Sequence, residues 1–230
     1  MSIAEKLTTI AENTQKVYEA GKQAEYDAFW DMYQENGERT SYQYGFAGFG
    51  WTDETFKPKY DITPIGAANG LFRETQITNL KQCLESCNVV LDLSKCNSFP
   101  DGFNKNPYLK ILPILDFSAM PGTTNVFYND SALEIIEGIK SGEKTAFATN
   151  TFYKCNSLIH MIVTGIIGQN GLNLQWSTLL DRESLLSIIG VLQDKTSAGG
   201  TWTVTLGSEN LAKLTDTEKA VATQKGWTLV

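Results

Sequence analysis

Between residues 70 and 165 the apolar positions follow a register much longer than that of a single helix or strand. Phe103-Asn-Lys-Asn-Pro-Tyr-Leu109, Phe127-Tyr-Asn-Asp-Ser-Ala-Leu133 and Phe152-Tyr-Lys-Cys-Asn-Ser-Leu158 each set a Phe six residues before a Leu. The three Phe residues are 24 and then 25 positions apart. Leu91-Asp92-Leu93-Ser94 and Leu115-Asp116-Phe117-Ser118 precede Phe103 and Phe127 at the same offset of twelve. Apolar pulses follow: Ile111, Leu112, Ile114 and Leu115, then Ile135, Ile136 and Ile139, then Met161, Ile162 and Val163. A degenerate earlier copy reads Leu71-Phe72, Ile77, Leu80. A fixed period in the ~20–29 residue window predicts stacked supersecondary units, none of which covers its own apolar face. The repeated Phe and Leu are the predicted core. Asn106, Asp130 and Cys155, each three residues after a Phe, are placed to satisfy backbone where the chain reverses.

The flanking segments follow other patterns. Ile3, Leu7, Ile10, Thr14, Val17, Gly21, Ala24 and Ala28 alternate spacings of four and three, which predicts a helix with a narrow seam. Ser2 and Glu5 form its capping-box signature. Tyr42 to Trp51 packs five aromatics and three glycines into ten residues. It reads as a plug over the open first turn, or as ring faces for a sugar. Toward the C-terminus Asp181 opens an apolar helix, Thr201–Leu206 alternates as a strand, Thr215 and Glu218 open a second helix, and 227–230 is a final strand. That order predicts a parallel β-α-β cap.

Charge and chemistry narrow the function. A formal net charge of -7 without a basic run argues against a nucleic-acid groove or a polybasic membrane surface. The start, Met1-Ser-Ile-Ala-Glu-Lys-Leu7, lacks the apolar stretch of a secretory leader, and no segment approaches ~18 apolar residues. The expectation is cytoplasmic synthesis without membrane insertion, or a cell-surface location if a leader has been removed. Cys83, Cys87, Cys96 and Cys155 form no paired metal motif, so no metal site and no cofactor is expected, and the thiols read as small buried groups. His160 is the single histidine, and a Cys155–His160 pair lacks a third group to orient the ring. Asp92 and Asp116 recur in register and are assigned to turns rather than to sugar cleavage. The chain reads as a non-enzyme.

Phe152-Tyr-Lys-Cys-Asn-Ser-Leu158 resembles the BspA-type leucine-rich repeats of bacterial surface and phage-associated proteins, over about residues 70–165. The implied fold class is an α+β repeat: a short, irregular leucine-rich-repeat solenoid with an N-terminal helix and a C-terminal β-α-β cap. Pro107, Pro113 and Pro121 interrupt the repeats. Four segments are expected: helix at 1–36, aromatic connector at 37–69, solenoid at 70–176 and cap at 177–230. The resemblance implies a phage or prophage tail subunit that presents a solenoid to a host receptor. A bacterial surface adhesin and a tail-assembly connector are the alternatives. The expected partners are a protein or glycan on a cell surface and further copies of the chain, joined through a coiled coil at 3–28. Candidate binding residues are Tyr108, Lys110, Glu134, Glu137 and His160, with Tyr44 and Trp51 in the connector.

Overall fold

The computed structural model describes residues 45–48 and 50–230, with helical residues 9, 12–14, 16–17, 20–21, 24–28 and 30–31. The chain divides into two units, Met1–Gly37 and Glu38–Val230. In the first, Tyr26 and Trp30 lie edge to face at 6.1 Å and Val17 is 74% exposed. The coiled-coil expectation rested chiefly on Ile3, Leu7 and Ile10, which lie outside the described residues.

The second unit is an α+β fold built from short elements. Its order is α1 (Leu80–Cys87), β1 (Ile111–Asp116), β2 (Gly122–Thr123), β3 (Ile135–Ser141), β4 (Ala146–Phe147), β5 (His160–Gly165), α2 (Arg182–Gly190), β6 (Trp202–Val204), α3 (Ser208–Leu211), α4 (Asp216–Gln224) and β7 (Trp227–Leu229). All pairings of these strands are parallel, in separate sheets β1-β3-β5, β2-β4 and β6-β7. The largest sheet is open and not curled. This overturns the leucine-rich-repeat solenoid: the 24-residue spacing survives as a local register of three strands, not as a fold-wide repeat. The register stops where capping chemistry makes a helix instead. Asn79 accepts from the Gln82 amide and starts α1 before β1, while Asp181 accepts from the Ser184 amide at 2.7 Å and starts α2 after β5.

The core explains why the three strands align. Phe72, Phe103, Phe127 and Phe152 form a continuous buried stack, with neighbouring ring centroids 5.3, 5.7 and 5.1 Å apart. Phe46 continues it, 5.1 Å from Phe72, and Phe99 and Phe117 buttress it from the side. Leu112, Ile136 and Met161 meet in one inward row, Leu115, Ile139 and Val163 in the next, and all are buried. The register shifts between Ile136 and Ile139, so β3 carries one more residue than β5 between these rows.

Both edges of the three-stranded sheet are finished by side chains or turns. At β1 the Lys110 and Ile111 amides donate to the Thr78 carbonyl. At β5 the Met161 and Val163 amides donate to the hydroxyls of Ser184 and Ser187 on α2, at 2.8 and 2.9 Å. A helix thereby supplies the acceptors that a fourth strand would have given, and unpaired strand edges invite association. Ser187→Ala leaves the Val163 amide without its acceptor and is expected to cost about 1–2 kcal/mol in chemical denaturation, with Ser187→Thr close to wild type.

The C-terminal pair closes the unit. Thr215 and Glu218 make a full capping box at α4, and Lys225 donates to the Ile189 and Gly190 carbonyls at the end of α2. Trp227 is buried and donates its indole N–H to the Gln193 carbonyl.

Candidate binding surface

The outward face of β1-β3-β5 gathers most of the residues singled out from the sequence. Inward rows at 112/136/161 and 115/139/163 leave Pro113, Ile114, Glu137, Gly138 and Ile162 between them on the other side. Ile114 is 63% exposed, unusual for a β-branched residue inside a strand. It lies over Gly138, where an added Cβ would stand 3.5 Å from the Ile114 side chain. The glycine gives Ile114 a bare backbone to rest on, and the chain spends no larger side chain on covering it.

Charged pairs surround that apolar centre. Lys110 meets Glu134 at 3.1 Å just before the strands begin, and Lys140 meets Asp116 at 2.9 Å where they end. Lys81 on α1 reaches Glu137 at 3.3 Å and Glu85 at 2.8 Å. Burial tends to raise the Asp116 pKa, but hydrogen bonds from Ser118 and Lys140 outweigh it and hold the carboxyl below the ordinary carboxylate range. On β5, His160 Nδ1 lies 2.6 Å from Asp181 Oδ2. Asp181 Oδ1 also accepts from the Ser184 amide and hydroxyl. Ser184 therefore donates to Asp181, not to His160, so the three side chains do not form a nucleophile–base relay.

The remaining candidates fall elsewhere. Tyr108 is 57% exposed in the turn before β1. Trp51 packs edge to face against Phe56 at 5.9 Å, and its carbonyl accepts from the Gln76 amide, so it belongs to the packed connector rather than to the sheet face. Tyr44 lies outside the described residues. Asp92 and Asp116 each accept from the amide two residues on, at Ser94 and Ser118, which is turn chemistry. Lys81, Ile114, Asp116, Lys140 and Asp181 complete the surface, and the sequence reading did not assign them to it. For Asp116 and Lys140 a signal existed: 24 residues, one register step, separate two opposite charges.

Among the described residues no group of three His, Cys, Asp or Glu side chains is placed to hold a metal ion, and no helix is long and apolar enough to cross a membrane. Cys155 donates its thiol proton to the Phe127 carbonyl at 3.0 Å, deep in the stack.

No family model, no curated protein and no solved structure matches the chain. The resemblance to BspA-type repeats is therefore corrected, together with the functions drawn from it. Neither matching protein nor solenoid fold supports a phage-tail receptor-binding subunit, a leucine-rich-repeat adhesin or a tail connector. The coiled-coil fibre assembly falls with them.

Proposed function

We propose that this chain is a non-catalytic binding protein that contacts a protein partner through the outward face of β1-β3-β5. The observation that carries this is Ile114, exposed midway along the edge strand β1, leaning over Gly138 of the central strand and ringed by ion pairs. An apolar, water-accessible centre with a polar rim is the anatomy of protein interfaces. Rigidity adds to it, because a face held by a ring stack and two edge helices loses little entropy on binding. The lysines of the face support a binding role over catalysis: Lys110, Lys140 and Lys81 are each held by a carboxylate.

Selection of random displayed peptides against the purified chain tests this reading. Binders are expected to lose at least about tenfold in affinity to Ile114→Asp, because a carboxylate would be desolvated at the centre of the contact. The exposed substitution is expected to leave the melting temperature near that of the parent. Selected peptides indifferent to Ile114→Asp would overturn the assignment.

A further inference from the structure

The geometry points to a second copy of this chain as an occupant of that face, packed about a two-fold axis that crosses the strands. The inference rests on the proposed binding surface and adds the identity of the partner. It follows from how charge is distributed along the strands. At the strand starts β1 carries Lys110 and β3 carries Glu134. At the strand ends the signs are exchanged: β1 carries Asp116 and β3 carries Lys140.

A two-fold axis lying in the interface across the strands sets each strand over its own copy, running the opposite way. The start of one face then covers the end of the other. Lys110 meets the second copy's Asp116, and Glu134 meets the second copy's Lys140. The symmetry makes each contact twice, as an isologous interface requires. Pro113 and Ile114 lie midway between the charged ends and meet their own counterparts, so the apolar centre is covered by apolar surface. Glu137 also lies near the middle, and its charge is met by Lys81 of the same chain. An axis running along the strands would instead set β1 over β5. Lys110 would then face His160, whose neighbouring carboxylate, Asp181, already serves the ring and the start of α2.

A face of three short strands is small, so association is expected to be weak, with a dissociation constant of roughly 10 to 500 µM. The pattern allows a charge exchange that separates this dimer from other association. Lys110→Glu with Glu134→Lys keeps the ion pair within each chain but reverses one end only, so like charges meet across the two-fold. Adding Asp116→Lys and Lys140→Asp reverses the other end and restores opposite charges everywhere.

Sedimentation velocity of the full chain, from about 10 µM to about 1 mM, gives the test. The expected result is a concentration-dependent dimer for the parent, at least about tenfold weaker association for the one-end exchange, and recovery to within about threefold for the four-residue exchange. A parent that stays monomeric at the highest concentration overturns the inference. So does association that ignores the one-end exchange, or that the four-residue exchange fails to restore. The peptide test separates the two levels. Loss of dimer with Ile114-dependent peptide binding intact removes only the second copy as occupant; peptide binding indifferent to Ile114→Asp removes the surface itself.

Discussion

Phe127→Ala is expected to cost about 3–5 kcal/mol, the largest loss from any single truncation in the ring stack. Phe127 has Phe103 on one face at 5.7 Å and Phe152 on the other at 5.1 Å, with Phe117 at 6.3 Å to the side. It is fully buried, and its carbonyl accepts the Cys155 thiol proton. Removing the ring empties the middle of a continuous column, where Phe103 and Phe152 are held in their own hydrogen-bonded turns and cannot close the gap. Phe46, nearer the end of the column, is expected to cost less when truncated. Urea denaturation of both variants checks the order, and equal costs would show that the column does not act as a continuous core. Phe127→Leu should recover about half of the loss, since it keeps most of the volume and none of the ring contacts.

The second large effect is a gain. Asp130→Asn is expected to raise stability at pH 7 by about 2 kcal/mol. The reason is visible one register step earlier. Asn106 accepts from the Thr75 amide with Oδ1 at 2.7 Å and donates with Nδ2 to the Phe72 and Phe103 carbonyls. Asp130 repeats the first half of this, with Oδ1 accepting from the Asn106 amide at 2.8 Å. Its Oδ2 takes the place of the amide nitrogen and has no hydrogen-bond partner among the described residues. A carboxylate cannot donate to carbonyls, and the group is completely buried.

Burial pushes the Asp130 pKa well above the ordinary value, opposed only by the Asn106 amide. In the unfolded chain the carboxyl ionises near pH ~4. Above that pH the unfolded chain releases the proton while the folded one retains it, so stability falls as pH rises from the unfolded value through the folded one. Asp53, Asp116 and Asp181 act in the opposite window. Burial raises their pKa values, but hydrogen bonds to the carboxylates outweigh it and leave each below its ordinary value. Their stabilisation is complete above the usual carboxylate range and is lost as pH falls through the folded values. Parent and Asp130→Asn should therefore converge in acid and diverge toward neutrality. Parallel stability–pH curves for the two proteins would show that Asp130 folds as readily ionised as neutral.

The sequence made the core legible and the architecture much less so. Phe103, Phe127 and Phe152 announce their stacking because a 24- or 25-residue spacing has no local explanation; it reports contacts between turns. The helix starts at Asp181 and Thr215 were readable for a local reason, because a cap needs only the side chain and the amide three residues on. What the period could not convey was how far it runs. Leu80, Cys83 and Leu84 form the buried face of a helix that Asn79 caps, but nothing in Leu80–Cys87 marks it as the end of a ladder. Nor does the 182–190 pattern show that two serines would face the amides of β5, since that pairing joins residues 23 and 24 apart through the folded sheet. The register suggested a solenoid because its 24- and 25-residue steps run only from Phe103 to Phe152, while Phe72 and Phe46 join the stack at other spacings.

The binding surface was half legible for a related reason. Lys110, Glu134, Glu137 and His160 stand out as polar residues between apolar pulses. Ile114 was read as one more member of an apolar pulse. Only the local doubling of outward residues between Leu112 and Leu115, with Gly138 opposite, turns it out of the core. Asp130 was recognised as a turn residue in series with Asn106 and Cys155, but a series says which residues are equivalent, not which of them is satisfied.

The measurement that addresses the proposed surface most directly is an isoleucine-methyl NMR titration of the full chain with a peptide chosen by display. The account predicts the largest shifts at Ile114 and Ile162, smaller ones at Ile111 and Ile135, and little change at buried Ile62, Ile188 and Ile189. Shifts centred on Ile188 and Ile189, or a silent Ile114, would contradict it and place the contact away from the three-stranded sheet.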